Sequence, residues 1–154
     1  MPRLIAIVSY ESRLDNLFKQ FGSLPTSNPL IQSHWSRYLC VLCYGYIETS
    51  IRDLLIEYSR NNAHPYIVNF LEKRLERFRN AKMNNILELL SLFNPLWSEK
   101  ITNTVDSECS DAINSIADNR HKIAHGKSVG VSRVNITSWY KQSKKFISIL
   151  EKMM

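Results

Sequence analysis

The sequence predicts an all-α fold: one antiparallel helical bundle of about five to six helices, forming a single domain over residues 1–154. Three observations lead there. Glycine is scarce, with 4 in 154 residues, where average usage of about 7% would give roughly 11. Many-stranded sandwiches and barrels place glycine at their hairpin turns, so a turn-rich β fold is excluded. Apolar residues recur at helical spacing over long stretches. The content of 44% hydrophobic and 22% charged residues suits a buried core and excludes collagen-like, linker-rich and disordered chains.

The first helix is expected over residues 3–21, ending near Gly22. Residues 23–29 (Ser-Leu-Pro-Thr-Ser-Asn-Pro) form the clearest loop of the first half. The second helix covers 30–59. Its apolar residues, among them Trp35, Tyr38, Leu39, Cys43, Tyr46, Ile51 and Leu55, spread around the barrel and predict a central, buried helix. Gly45 within it marks a place where a neighbour packs closely. Pro65 at a first-turn position opens a third helix to about Phe78, with Ile67, Phe70, Leu71, Leu75 and Phe78 as its stripe. The fourth helix is Met83 to Phe93, stopped before Pro95. Residues 95–103 have no assignment. The fifth helix starts near Asp106 or Ser107 and reaches about Ala124, and the sixth covers 135–153.

No segment approaches the ~18 apolar residues of a membrane span. From Met1 to Val8 the longest apolar run is five residues, shorter than the roughly 7–15 of a secretory signal, so a cytoplasmic location is expected. Three cysteines are an odd count without framework spacing, which fits a reducing compartment. Cys40-Val41-Leu42-Cys43 is a CxxC inside an apolar run, where free cysteine reads as core packing. His34 and His64 read as structural residues at helix starts.

Charge is unevenly placed. Residues 1–119 hold 12 Lys/Arg and 13 Asp/Glu, whereas residues 120–154 hold 8 Lys/Arg and one acid, Glu151. The whole basic excess lies in the last 35 residues. A second cluster comprises Lys73, Arg74, Arg77, Arg79 and Lys82 against Glu76. Such patches suit a polyanion partner, and equally a solvated helix face.

The fifth helix carries the chemistry. At 100° per residue with Ile113 at zero, Cys109, Ala112, Ile116, Ala117 and Ile123 form one stripe, and Arg120 falls inside it at about 340°. A guanidinium stays charged and is costly to bury unpaired. Arg120 therefore either meets a core carboxylate, with Glu48 a candidate, or faces a cleft or interface that receives an anion. Glu48 also has Arg52 four residues on for a plain surface pair. His121 and His125 follow at i and i+4. They fit a metal pair, but no Cys, Asp or Glu lies downstream before residue 151 to supply a third ligand. They also fit the preference of a helix C-terminus for cations. A third fit is metal-free phosphodiester chemistry, in which arginine holds the phosphate and imidazole moves protons. The substrate's own 2′-hydroxyl would then be the nucleophile. Gly126 directly after His125 marks the helix end and frees the His125 ring to approach Arg120. Trp139 and Tyr140 beside Lys141, Lys144 and Lys145 could stack on bases, or belong to a core face with Ile136, Ile147 and Leu150.

Residues 117–126, Ala-Asp-Asn-Arg-His-Lys-Ile-Ala-His-Gly, resemble the signature of the HEPN superfamily: Arg, four to six residues, then His near the end of a late helix. Small members often show Arg-Asn-x-Ile-Ala-His-Gly. Arg120, Ile123, Ala124, His125 and Gly126 match, and His121 stands where a polar residue such as Asn is usual. Residues 35–56 with Gly45-Tyr46-Ile47-Glu48, then Asn80-Ala81-Lys82 and 87–93, look like the RiboL-PSP-HEPN subgroup. The resemblance implies a homodimer, of a family whose active members are metal-independent endoribonucleases with no cofactor; the alternative is a non-catalytic HEPN module that binds nucleotide, RNA or a partner protein. Two motif copies would meet in one cleft at the dimer interface. Arg120 would hold the scissile phosphate of RNA and His125 would transfer protons; His121, where this chain departs from the usual residue, is a further catalytic candidate, as a phosphate donor or as a second proton-transfer group. Asn119, Lys122, Lys127 and Glu48 are the candidate substrate-binding residues. Products would carry a 2′,3′-cyclic phosphate and a 5′-hydroxyl. Many members serve in toxin–antitoxin or phage-defence systems, which implies an antitoxin or other defence protein as partner.

Overall fold

Three X-Pro dipeptides set where helices begin. A proline at the first helical position brings a pre-formed φ and no N–H, so the preceding side chain is left to cap the next amide. Asn28 accepts from the Leu30 N–H at 2.9 Å and Asn94 from the Leu96 N–H at 3.0 Å. His64 does the same for Tyr66 through Nδ1 at 3.4 Å, which gives this histidine its structural role. In the computed structural model, which describes residues 3–25 and 27–154, seven helices result. They are α1 (Ile5–Gly22), α2 (Pro29–Asn62), α3 (Pro65–Leu75), α4 (Met83–Phe93), α5 (Pro95–Thr104), α6 (Ser107–Ala124) and α7 (Arg133–Met153). Met1, Pro2 and Thr26 lie outside the described residues, and with them part of the expected 23–29 loop. No strand occurs among the described residues.

The all-helical expectation holds, but the described residues form seven helices rather than five to six. The addition is α5, over the stretch left unassigned. It buries only Trp97 and Ile101, one turn apart, too short an apolar pattern to read as a helix. The third helix also differs from expectation. It ends at Leu75, and its buried side runs through Val68 and Leu75 while Ile67 and Phe70 are exposed. α3 packs mainly on α2, and one principal neighbour cannot cover the apolar residues on both of its flanks.

α2 is the central element, touching α1, α3, α6 and α7. It buries Leu39, Cys40, Cys43, Tyr46, Ile47, Ile51 and Leu55 completely or nearly so. Each large aliphatic side chain so buried contributes about 2 kcal/mol. Both cysteines of the CxxC are free and in the core, and burial pushes the Cys40 thiol up to about 12. The close neighbour expected at Gly45 is Tyr10: a Cβ there would lie 2.8 Å from the Tyr10 hydroxyl oxygen.

Polar contacts align the outer helices antiparallel. Arg3 spans Glu11 on α1 (2.7 Å) and Glu151 on α7 (2.8 Å). Glu11 also accepts from the Tyr46 hydroxyl at 2.6 Å. Tyr140 donates to Asp15 at 2.8 Å and stacks on Phe18 with centroids 4.6 Å apart. Tyr140 is thus a core residue and not a free base-stacking platform. At the start of α6, Asp106 caps Cys109 at 2.8 Å and pairs with Lys145 of α7. No helix of the described residues is long and apolar enough to cross a membrane.

Candidate functional site

α6 runs from an acidic capped start into the core and out again. Cys109, Ala112, Ile113, Ile116 and Ala117 are buried, and one turn later Arg120 is half-buried where the stripe leaves the core. Its guanidinium carbon lies 4.9 Å from the ring centroid of Tyr44, a buried residue of α2. The Tyr44 hydroxyl accepts from the Ala81 N–H at 3.1 Å, which ties α2 to the connection between α3 and α4. That connection turns at Asn80, whose φ of 61° is left-handed, a conformation asparagine tolerates better than most residues. A few residues on, the Met83 N–H donates to Asn114 of α6 at 2.9 Å. The connection therefore stands as a wall facing α6, and a cleft of about 440 Å³ opens between them.

Three permanent cations line this cleft: Arg79, Lys82 and Arg120. Lys82 pairs with Asp118. Arg79 lies 3.8 Å from Glu48 and also donates to the Glu76 and Phe78 carbonyls at 2.7 and 3.0 Å. Arg120 has no carboxylate partner among the described residues, and the aromatic ring is its only contact of note. The core pair with Glu48 that the sequence left open is not formed. Neither is the surface pair of Glu48 with Arg52. Glu48 instead faces Arg79 with one oxygen, while its other oxygen is buried without a hydrogen-bond partner. Burial, with Glu48 one turn on, raises the pKa of Tyr44, so the ring beneath Arg120 is a neutral phenol.

His121 lines the cleft beside Arg120. Its ring lies 4.4 Å, centroid to centroid, from that of His125, tilted by 58°. Both are exposed. His125 is the C-cap of α6, with φ −95° and ψ 14°. The helix then closes by two bonds, from the Gly126 N–H to the Ile123 carbonyl (3.0 Å) and from the Lys127 N–H to the Lys122 carbonyl (2.9 Å). Gly126 supplies the left-handed residue this closure needs, at φ 67°. The helix end expected at His125-Gly126 is thus found there, and it leaves His125 one ring contact from the cleft. Lys122 and Lys127 are exposed and have no ion pair among the described residues. Asn119 turns away: its amide donates to the Ser115 carbonyl of its own helix at 2.8 Å.

Among the described residues no three His, Cys, Asp or Glu side chains gather as a metal-ligand set. A second hollow of about 330 Å³, between the end of α2 and α3, holds the paired Arg60 and Glu72 and no histidine. The sequence reading missed Tyr44 and the Asn80–Ala81 turn as parts of the site. The available signal was the i, i+4 spacing of Tyr44 and Glu48.

A family model described as RiboL-PSP-HEPN matches residues 6–154 of this chain. No curated protein and no solved structure matches it.

Proposed function

Because the chain belongs to the RiboL-PSP-HEPN family, we propose that it is a metal-independent endoribonuclease. It acts as a homodimer in which two Arg120–His125 sets share one cleft. Its setting is cytoplasmic, in a toxin–antitoxin or phage-defence system with an antitoxin or similar protein as partner. The observation that carries this reading is Arg120, the one cation of its cleft with no carboxylate among the described residues. A guanidinium left in that state at the edge of a core is suited to a bidentate phosphate.

The chemistry follows from the groups at the end of α6. Arg120 holds the non-bridging oxygens of the scissile phosphate and stabilises the charge that grows on them. A histidine takes the proton of the adjacent 2′-hydroxyl, whose oxygen attacks phosphorus. The P–O5′ bond breaks, and the departing 5′-oxygen receives a proton. The products are a 2′,3′-cyclic phosphate and a 5′-hydroxyl, with no water consumed. His125 is the first candidate for proton transfer, and His121 the candidate for the complementary step. Lys122 and Lys127 bind flanking phosphates. Across a two-fold axis two Arg120 side chains would repel each other, and a bound phosphate relieves that repulsion.

The test is cleavage of defined RNAs in EDTA. Arg120→Ala and His125→Ala are each expected to lower the rate by at least ~10²-fold while the dimer persists in solution. Undiminished cleavage by both variants overturns the assignment. Tight RNA binding without product by the wild type, across several RNAs, identifies a non-catalytic binding module instead.

A further inference from the structure

An arginine side chain is long and flexible, and a phosphate-binding arginine acts only when its donor edge is aimed. Arg120 has no carboxylate to aim it. What it has is the Tyr44 ring, with the guanidinium carbon 4.9 Å from the centroid. A guanidinium lying over an aromatic face has one side covered and keeps the N–H donors at its edge. Tyr44 itself has little freedom. It is 7% exposed, and its hydroxyl is held by the Ala81 N–H at 3.1 Å. Ala81 is buried and follows the left-handed Asn80, whose carbonyl accepts from the Asn85 side chain at 2.8 Å. The phenol therefore touches both sides of the cleft, the cation on α6 through its ring and the facing turn through its oxygen.

We propose that Tyr44 is the positioning residue for Arg120. Its ring fixes the plane of the guanidinium at the cleft, so that the donor edge meets an RNA phosphate. Burial holds that ring in place, and its hydroxyl accepts from the Ala81 N–H of the facing turn. The inference rests on the reading of Arg120 as the phosphate-binding group. Tyr44 does not touch the substrate in it.

Ring and hydroxyl are separable by substitution. Tyr44→Phe keeps the ring, and Tyr44→Leu fills much of the space without one. With a long RNA, whose other phosphates hold it in place, Tyr44→Leu is expected to lower kcat at least tenfold with KM within threefold, and Tyr44→Phe to retain kcat within threefold. With a non-cleavable 2′-O-methyl dinucleotide, whose one phosphate is the one Arg120 holds, Tyr44→Leu is expected to weaken Kd about tenfold and Tyr44→Phe less than threefold. A third measurement needs no variant to fold: in the wild type, the Arg120 side-chain protons should show an upfield ring-current shift by NMR. Absence of that shift overturns the proposal. So does a folded Tyr44→Leu protein whose kcat and dinucleotide affinity stay within threefold of wild type. A wild type that cleaves no RNA, but binds the dinucleotide in a Tyr44-dependent way, overturns the ribonuclease reading and leaves the positioning role standing.

Discussion

At the scale of single residues, the end of α6 combines a cation without a counter-ion and a backbone position without a side chain. Arg120 is aimed by an aromatic ring, and six residues later Gly126 adopts φ 67° so that the chain can leave the helix directly after His125. A Cβ at Gly126 would meet nothing within 4 Å. The cost of replacing it is therefore conformational and not steric. Left-handed backbone costs roughly 1–2 kcal/mol for most L-residues and much less for asparagine. Gly126→Val should lower stability by about that amount in urea unfolding, with Gly126→Asn close to wild type. If the glycine also sets the His125 ring, Gly126→Val loses more activity than its stability explains. Equal stability of the Val and Asn variants would refute the conformational account.

At the scale of elements, legibility in the sequence followed the cleanness of each helix's pattern. α6 has one narrow apolar stripe, so a charged residue inside it stood out, and Arg120 is where that stripe leaves the core. α2 is apolar almost all round, so no face of it singled out Tyr44 from the core residues Tyr46 and Cys43. The partners that make Tyr44 part of a site, Arg120 and Ala81, are 76 and 37 residues away, contacts that no local periodicity contains. α5 escaped notice for the opposite reason, an apolar pattern of two residues, although Asn94-Pro95 repeats the start that Asn28-Pro29 gives α2. The bundle's outer seam has a chemistry of its own. Burial pushes the Glu11 carboxyl up, but hydrogen bonds from Arg3 and Tyr46 outweigh this and hold its pKa below the ordinary value. A carboxylate depressed in the folded state adds stability that is fully present above the unfolded pKa of about 4.3. That stability is lost as pH falls through the folded value. Glu11→Gln should therefore be less stable than wild type at pH 7, by about 1–3 kcal/mol, and the gap should shrink on acidification below pH ~4. A gap that stays constant from pH 7 to pH 3 would exclude the linkage.

At the scale of the whole molecule, the question is what the basic excess of residues 120–154 is for. Lys144 pairs with Asp15 and Lys145 with Asp106, so these two hold α7 against α1 and the start of α6. Arg133 covers the Phe21 ring, at 5.4 Å from its centroid, and reaches the Gly22 carbonyl. These cations serve the bundle. Arg120, Lys122, Lys127, Lys141 and Lys152 remain without ion pairs among the described residues, and Lys122 and Lys127 flank the closing bond of α6, Lys127 N–H to Lys122 carbonyl at 2.9 Å. Helix ends of this type usually place apolar residues at those two positions. Lysine at both puts positive charge beside Arg120, where a strand crossing the cleft would continue. Each phosphate contact on a single strand contributes about 0.7 to the slope of log Kobs against log salt. Removing both lysines together, Lys122→Ala with Lys127→Ala, should reduce the slope for non-cleavable RNA by about 1.4 if one protomer's pair contacts the strand, and by about twice that if both do. Lys144→Ala should leave the slope unchanged and lower thermal stability instead. A slope that responds to Lys144→Ala and not to the lysines at the end of α6 would move the RNA path away from the Arg120 cleft and onto α7.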